Sequence, residues 1–233
     1  MPAAQSPPRK SKPPRRYHHG DLTNALVAAT IALIEERGLE QVSVREAAKR
    51  AGVSSGAPFR HFATKTALMT AVAEEAMERL KDSVGEALRD AAEQGPLQRF
   101  EAIGQAYLRW AIANPTHFQV ISSRSLIAFE SSERLTGANA VIRTLMVALL
   151  SEAKASGSLR PGLDIDHLIL SARALVYGLA RMAVDGHLPE WHASEPAMEA
   201  ASNALGLFIE MVRHDGQGTR ASSRPSRRRP SGA

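Results

Sequence analysis

Apolar residues recur at helical spacing through most of the chain. A first amphipathic stripe predicts a helix over 21–37, which Gly38 ends. A longer helix is predicted over 65–93, behind the cap residue Thr64. Further along, apolar patterns punctuated by Gly and Pro predict helices over 97–113, 115–127, 131–156, 165–185 and 195–214. No segment there favours a strand, so the pattern predicts an all-α fold.

The segment between the first two helices, SVREAAKRAGVSSGAPFRHF over 43–62, has a more specific pattern. Ser43 and Glu46 have the spacing of a capping box, and Gly52 can end the short helix that follows. Ser54 can cap a second helix a few residues later. Two short helices joined by a Gly-containing turn have helix-turn-helix spacing, in which the second helix lies in the major groove of DNA. An αα-hairpin that only packs has the same spacing, so both interpretations stay open.

The second short helix begins with small residues, which would let its backbone approach DNA closely. Phe59 and Phe62 are predicted to pack against the first helix. Lys65 lies in the first turn of the long helix, where its charge and the free backbone amides suit a DNA phosphate, although it can also be an ordinary surface lysine. The predicted DNA-contacting residues are Ser43, Arg45, Ser54, Ser55, Gly56, Ala57, Phe59, Arg60, His61 and Lys65.

Charge is distributed unevenly along the chain. The net charge is +5, but residues 1–20 and 216–233 each carry five basic residues and no acidic ones, which leaves the body between them at −5. Within that body, the segment 43–65 has five basic residues and one acidic residue. Positive potential confined to the tails and to this segment suits phosphate binding at one end of the protein.

Several classes of chemistry are not indicated by the sequence. The chain has no cysteine, so disulfides and thiolate chemistry are absent. No apolar run is expected to approach the ~20 residues that span a bilayer, and no signal segment is recognised, so a soluble cytoplasmic protein without a membrane partner is expected. The His and acid groupings at 164–167 and 187–192 lack the repeated spacing of a metal bundle. No metal, cofactor or catalytic site is predicted.

The segment 28–68 resembles the DNA-binding region of TetR-type transcriptional regulators. The residues that fall at the family's spacing are Gly38, Val44, Ala47, Ala48, Gly52, Val53, Ser54, His61, Phe62, Lys65 and Leu68. Phe59 stands where many relatives carry Tyr. The resemblance implies a homodimer that binds a palindromic double-stranded DNA operator, most often as a repressor, and is released by a small molecule of unknown identity.

The C-terminal half resembles the TetR subgroup whose penultimate helix carries a Trp-x-x-x-His-Gly signature. The matching positions here are Arg173, Tyr177 and Gly178, so that Arg replaces the Trp and Tyr replaces the His. Because two of the three signature residues differ, the resemblance implies the fold of this subgroup but not its ligand. The resemblance divides the chain into a disordered basic arm, a helix-turn-helix domain, a helical ligand-binding and dimerisation domain and a disordered basic tail, over 1–16, 17–65, 66–215 and 216–233.

The last two predicted helices have apolar faces wide enough to be buried on more than one side, which favours a four-helix bundle across a twofold axis. A core within one chain is the alternative. The predicted dimer residues are Ala172, Leu175, Leu179, Ala201, Leu205, Phe208, Ile209 and Val212.

Most large aromatic and Met residues of the C-terminal half are candidates for lining a small-molecule cavity. They are Tyr107, Trp110, His117, Phe118, Phe129, Met146, Tyr177 and Met182. Each of them alone is more often a core residue than a ligand contact.

The alternatives to a ligand-responsive regulator are an enzyme and an architectural DNA-binding protein. An enzyme would need a catalytic constellation that the sequence does not contain. A ligand-independent architectural DNA-binding protein with a helix-turn-helix is the stronger alternative, and constitutive DNA binding without any inducer would distinguish it.

Overall fold

The computed structural model describes residues 19–191 and 195–214. The described residues form eight α-helices, and their only β-type pairing is a bridge between Leu159 and Arg213. The helices are α1 (His19–Arg37), α2 (Val44–Arg50), α3 (Lys65–Asp90), α4 (Pro96–Ala113), α5 (Pro115–Ser122), α6 (Glu133–Ala155), α7 (Ile165–Asp185) and α8 (Ala197–Val212). The all-α fold is confirmed. The basic segments expected to be disordered lie outside the described residues.

The chain forms two compact units, and the boundary between them lies after Val72, within α3. In the first unit, Leu26, Leu33, Ala47, Phe62 and Leu68 are buried together with their neighbours. This core holds the short helix α2 through its apolar face, as the sequence pattern predicts.

The predicted cap of α2 by Ser43 is confirmed, although the Glu46 carboxylate bonds the Ser43 hydroxyl and not the Ser43 amide of a capping box. The Ser43 hydroxyl accepts a hydrogen bond from the Glu46 amide at 3.2 Å and donates one to the Glu46 carboxylate at 2.9 Å. That carboxylate also pairs with Arg37 at 3.0 Å. After α2, Gly52 adopts a left-handed φ of 70°, which a Cβ would strain. These local signals determine where α2 begins and ends.

The predicted second helix from Ser54 is wrong. An α-helix capped by Ser54 needs the amide of residue 58 to bond the Ser54 carbonyl, and Pro58 has no N–H. The Ser54 carbonyl instead accepts the Ala57 amide at 3.0 Å, which makes a turn. A 3₁₀ helix over Pro58–Arg60 follows. The prediction that Phe59 packs against the first helix is also wrong, because Phe59 is 44% exposed, whereas Phe62 is buried as expected.

In the second unit, α4 packs against α6, α7 and α8. The close approach of α4 and α8 depends on Gly104, because a Cβ there would lie 2.7 Å from the Leu205 Cδ2 atom. The bounds of α7 agree with prediction at both ends, where Asp164 caps the first turn and Gly186 adopts a φ of 79°. Helix α5 ends five residues earlier than predicted, at Ser122, and a 3₁₀ helix over Arg124–Leu126 follows.

A polar cluster fixes the start of α6 against α3. Ser132 caps α6 by accepting the Leu135 amide at 3.2 Å, and its hydroxyl donates to Glu74 at 2.7 Å. Arg134 binds the other oxygen of Glu74 at 2.8 Å. Because Ser132 is buried, these bonds satisfy a group that would otherwise be costly to bury.

Among the described residues, α7 alone has the length and mean hydropathy (1.2) of a membrane span. The expectation that no apolar run approaches this length is therefore wrong for α7. Such a helix is weak support for a membrane span, since the core helices of other folds meet the same criterion. Here α7 packs against α4, α6 and α8.

Candidate DNA-binding and ligand-binding sites

Five exposed residues form a continuous part of the first unit that we call the reading face. They are Ser54, Ser55, Gly56, Phe59 and Arg60. The turn at 54–57 and the 3₁₀ helix over Pro58–Arg60 present them, while Pro58 and Phe62 are buried behind. Ala57 is half-buried between them. The structure thus brings together the small residues predicted at the start of the second helix, although without an α-helix.

Three other residues predicted to contact DNA are bonded within the first unit. The Ser43 hydroxyl is occupied by Glu46, as described above. The Lys65 ammonium group donates to the carbonyls of Leu39 and Glu40, both at 3.0 Å. His61 is half-buried, with Nδ1 3.5 Å from the Thr23 hydroxyl of α1.

The basic residues around the reading face fall into two groups. Arg50 pairs with Glu36 at 2.6 Å, and this bond lowers the pKa of the Glu36 carboxyl. Among the described residues, no ion pair joins Arg45, Lys49 or Arg60 to a carboxylate, and all three are exposed. These three cations are therefore the ones available to phosphates.

The second unit encloses a cavity of about 380 Å³. Its walls come from α3, α4, α6, α7 and α8 and from the segment after α5. The buried part of the lining is apolar and consists of Met77, Leu80, Val84, Phe100, Ile103, Tyr107, Ile127, Leu135, Ile169, Ala172, Val176 and Leu205. A concave site of this size and character is typical of small-molecule binding.

The polar residues of the cavity lie mainly at its exposed edge. We call Arg124, Asn139, Arg143, Arg173 and Tyr177 the cavity mouth, because all five line the cavity and are exposed. The Arg124 guanidinium carbon lies 3.3 Å from the centroid of the Phe129 ring, and that of Arg173 lies 4.9 Å from the centroid of Tyr107. Arg143 is paired with Asp166 at 2.8 Å.

Two pKa values reflect the crowding of charge and rings at the mouth. Burial raises the pKa of the Tyr107 hydroxyl, and the nearby Arg173 partly opposes this shift. Burial lowers the pKa of Arg124, and Arg173 lowers it further, while Glu130 acts in the opposite direction. The positive charge of Arg173 thus disfavours the charged form of Arg124.

Half of the predicted ligand-binding residues line this cavity: Tyr107, Phe129, Met146 and Tyr177. Trp110, His117, Phe118 and Met182 do not line it. Phe118 is fully buried behind the lining, with its ring 6.2 Å from Tyr107 and 5.9 Å from Tyr177. Trp110 and His117 are also buried, so these three belong to the core.

Sequence reasoning did not predict the three arginines of the mouth. Arg173 carried one signal, since it occupies the position where the resembling subgroup has Trp. Arg124 and Arg143 lie on other elements and have no comparable signal. Only the packing of α4, α6 and α7 brings them to one cavity.

Most of the predicted dimer residues are buried within the chain itself. Five of the eight are buried by their own unit: Ala172, Ala201, Leu205, Ile209 and Val212. Ala172 and Leu205 also line the cavity. For these five the assignment to a dimer surface is wrong, because α4 already covers that face of α7 and α8. Leu175, Leu179 and Phe208 are half-buried.

A different apolar set is exposed on the same two helices. Leu170 of α7 is 66% exposed, and Leu207 and Met211 of α8 are 64% and 59% exposed. Leu207 and Met211 lie one turn apart on one side of α8. We call these three residues the outer apolar face.

The two units define an all-α protein with a helix-turn-helix region and a separate helical bundle around a cavity. The family model described as "Bacterial regulatory proteins, tetR family" matches residues 26–72. A second model, "Tetracyclin repressor-like, C-terminal domain", matches residues 100–205. The chain belongs to the TetR family. The subgroup with the Trp-x-x-x-His-Gly signature stays a prediction.

Individual relatives agree with this assignment. A solved structure of a protein with unknown function from Rhodococcus sp. RHA1 is 30% identical, with a TM-score of 0.71, and the match covers 86% of this chain and 100% of that one. The transcriptional repressor KstR2 of Mycobacterium tuberculosis is 28% identical over 147 residues, which are 60% of this chain and 70% of KstR2. The regulator BetI of Yersinia pestis is 32% identical over 80 residues, 34% of this chain, and the match spans only 40% of the length of BetI.

Proposed function

We propose that the protein is a cytoplasmic transcriptional repressor that binds a palindromic operator as a homodimer and releases it when a small molecule fills the cavity. The observation that carries this proposal is the course of α3. The helix begins at Lys65, soon after the reading face, and contributes Met77, Leu80 and Val84 to the cavity. A helix that follows the first site along the chain and lines the second is a physical route for coupling between them.

Operator binding would use the small and aromatic residues of the reading face for bases, and the cations on and beside that face for phosphates. Small side chains at Ser54, Ser55 and Gly56 permit close approach to base edges, and Phe59 offers an apolar ring for a thymine methyl group. Arg45 and Arg60 supply phosphate contacts. We assign Ser43, His61 and Lys65 to positioning, and phosphate contact near Lys65 to the free amides of the first turn of α3.

Homodimerisation is supported by the outer apolar face. Exposed Leu and Met side chains on adjacent helices are costly to leave in water, and a twofold pairing of α7 and α8 would bury them. The four-helix arrangement predicted from the sequence is thus kept, with Leu170, Leu207 and Met211 in place of the five buried residues.

Ligand release follows from the geometry of a dimer on DNA. Half-sites lie about 34–36 Å apart for each turn of the double helix. A ligand that favours a different position of α3 changes the separation of the two reading faces, and one half-site is then lost. The alternative is a ligand-independent architectural protein, whose DNA binding would not require a cavity of about 380 Å³.

The proposal predicts a palindrome in the DNA upstream of the protein's own gene. Nuclease footprinting with the purified protein is expected to protect two inverted half-sites whose centres are a whole number of helical turns apart, about 10 base pairs each. Protection of a single asymmetric site would contradict the homodimer. Uniform coating of unrelated DNA would instead support the architectural alternative.

The salt dependence of DNA affinity is expected to distinguish arginines that contact phosphates from arginines that are already paired with a carboxylate. Replacement of Arg60 by Gln removes one phosphate contact per subunit, so the slope of log affinity against log salt should fall by roughly 0.9 per lost contact. Arg45→Gln should act in the same way. Fluorescence anisotropy on operator and scrambled duplexes measures both slopes.

The matched control is Arg50→Gln, because the Arg50 guanidinium is already bound to Glu36. Its slope should equal that of the unchanged protein. If Arg60→Gln weakens binding to the operator alone and leaves the slope unchanged, Arg60 reads bases and its assignment to phosphate is wrong.

A further inference from the structure

We propose that the cavity binds an anionic amphiphile, a small molecule whose apolar body fills the interior and whose anionic head lies between Arg124 and Arg173 at the mouth. The inference deepens the proposed function, since it names the chemical class of the molecule that would release DNA. It rests on the distribution of polarity, the balance of charge and the size of the cavity.

Polarity changes sharply from the interior of the cavity to its mouth. The interior is formed by buried apolar residues from five helices, among them Leu80, Phe100, Ile103 and Leu135. The exposed positions carry nearly all of the charged and amide groups. A wholly apolar ligand would leave the polar mouth without a partner, and a wholly polar ligand would lose its hydration in the interior. An amphiphile satisfies both regions.

The charge of the lining is positive. Among the described residues, three arginines line the cavity and no Asp or Glu does. Arg143 is compensated by Asp166 at 2.8 Å. Within the described part of the chain, no ion pair joins Arg124 or Arg173 to a carboxylate, although the charge of Glu130 acts on Arg124. Two guanidinium groups that line the same apolar hollow without a carboxylate partner favour an anion at its mouth.

The rings beneath the arginines leave their donors available. The Arg124 guanidinium lies 3.3 Å above the Phe129 ring, close enough for face-to-face stacking, and Arg173 lies over the Tyr107 ring at 4.9 Å. The N–H groups of a guanidinium lie in its plane and point outward from such a stack. They can therefore form the paired hydrogen bonds that suit a carboxylate or a phosphate.

The volume limits the body of the ligand. A water molecule occupies about 30 Å³ of liquid volume, so a cavity of about 380 Å³ holds on the order of a dozen non-hydrogen atoms. Decanoate and 4-phenylbutyrate both have about this size, one with an aliphatic and one with an aromatic body. Their alcohols, decanol and 4-phenylbutanol, are neutral partners of nearly the same shape.

The test compares these pairs by isothermal titration on the full-length protein, with decyl phosphate as a second anion. At least one carboxylate should bind about tenfold or more tightly than its alcohol, because hydrogen bonds to charged groups are the stronger ones. Comparison of decanoate with decyl phosphate then distinguishes a carboxylate from a phosphate head. Replacement of Arg124 and Arg173 by Gln should remove the preference for the anion, while Arg173→Lys should retain part of it.

Arg109→Gln is the matched control, because Arg109 is an exposed arginine of α4 that does not line the cavity. It lowers the net charge by one, as each single replacement at the mouth does, and should keep the full preference. Equal binding of each anion and its alcohol, or binding of neither, overturns the inference. So does a loss of preference in Arg109→Gln as large as in the double variant.

Operator affinity, measured in the same samples, separates the inference from the function on which it rests. Carboxylate and alcohol that bind equally and both release the operator would overturn the inference and leave the function standing. A carboxylate that binds preferentially but leaves operator affinity unchanged would support the inference and contradict ligand release.

Discussion

Replacement of Leu207 and Met211 by Asp is expected to convert the proposed homodimer into monomers. Both side chains are mostly exposed in the single chain, so the substitutions leave its core intact. In a twofold contact through α8 they would place unpaired charges in a desolvated seam, at a cost of about 3–5 kcal/mol. The dimer dissociation constant should rise by roughly 10²–10⁴-fold. Analytical ultracentrifugation measures this change, and the thermal unfolding midpoint should be retained when monomers are compared.

Val141→Asp is the matched control for this prediction. Val141 is a similarly exposed apolar residue, at 48%, but it lies on α6. Its replacement should leave the dimer unchanged. A Leu207→Asp, Met211→Asp double variant that sediments as a dimer at every concentration would exclude the outer apolar face as the interface. Operator affinity should fall in parallel with dissociation, since each half-site is then bound singly.

The second large effect is expected at Phe118, in stability. The Phe118 side chain is fully buried behind the cavity lining and contacts Tyr107 and Tyr177, which are part of that lining. Phe118→Ala removes its apolar burial and leaves a hole, at a cost of about 3–5 kcal/mol. For a unit of this size, that corresponds to a fall of roughly 6–20 °C in the unfolding midpoint. Scanning calorimetry and circular dichroism check it.

Phe59→Ala is the control, because it truncates the same side chain at an exposed position of the reading face. Its unfolding free energy should change by about 0.5 kcal/mol or less, while its affinity for the operator falls. The reverse pattern, a stable Phe118→Ala protein and an unstable Phe59→Ala protein, would contradict the burial of both residues as the structure has it.

The sequence was informative wherever a structure depends on near neighbours. The start of α2 follows from Ser43 and Glu46, three residues apart, and the end of α7 follows from Gly186. One local signal opposes the helix predicted from Ser54. Pro58 lies four residues after Ser54 and so removes the first hydrogen bond of that helix. A cap residue can start an α-helix only where the residue four positions later has an amide N–H for its carbonyl.

The sequence by itself determined the all-α fold, most helix bounds and the position of the helix-turn-helix region, because periodicity, caps and turns are properties of a few adjacent residues. It also showed that α7 and α8 have wide apolar faces. Only the tertiary structure decided what covers them: α4 buries Ala172 and Leu205, and Leu207 and Met211 stay exposed. Likewise, only packing brought Arg124 and Arg173, which are far apart in the chain, to one cavity mouth. Helical spacing reveals which residues share a face, whereas the neighbour that meets that face is set by the whole chain.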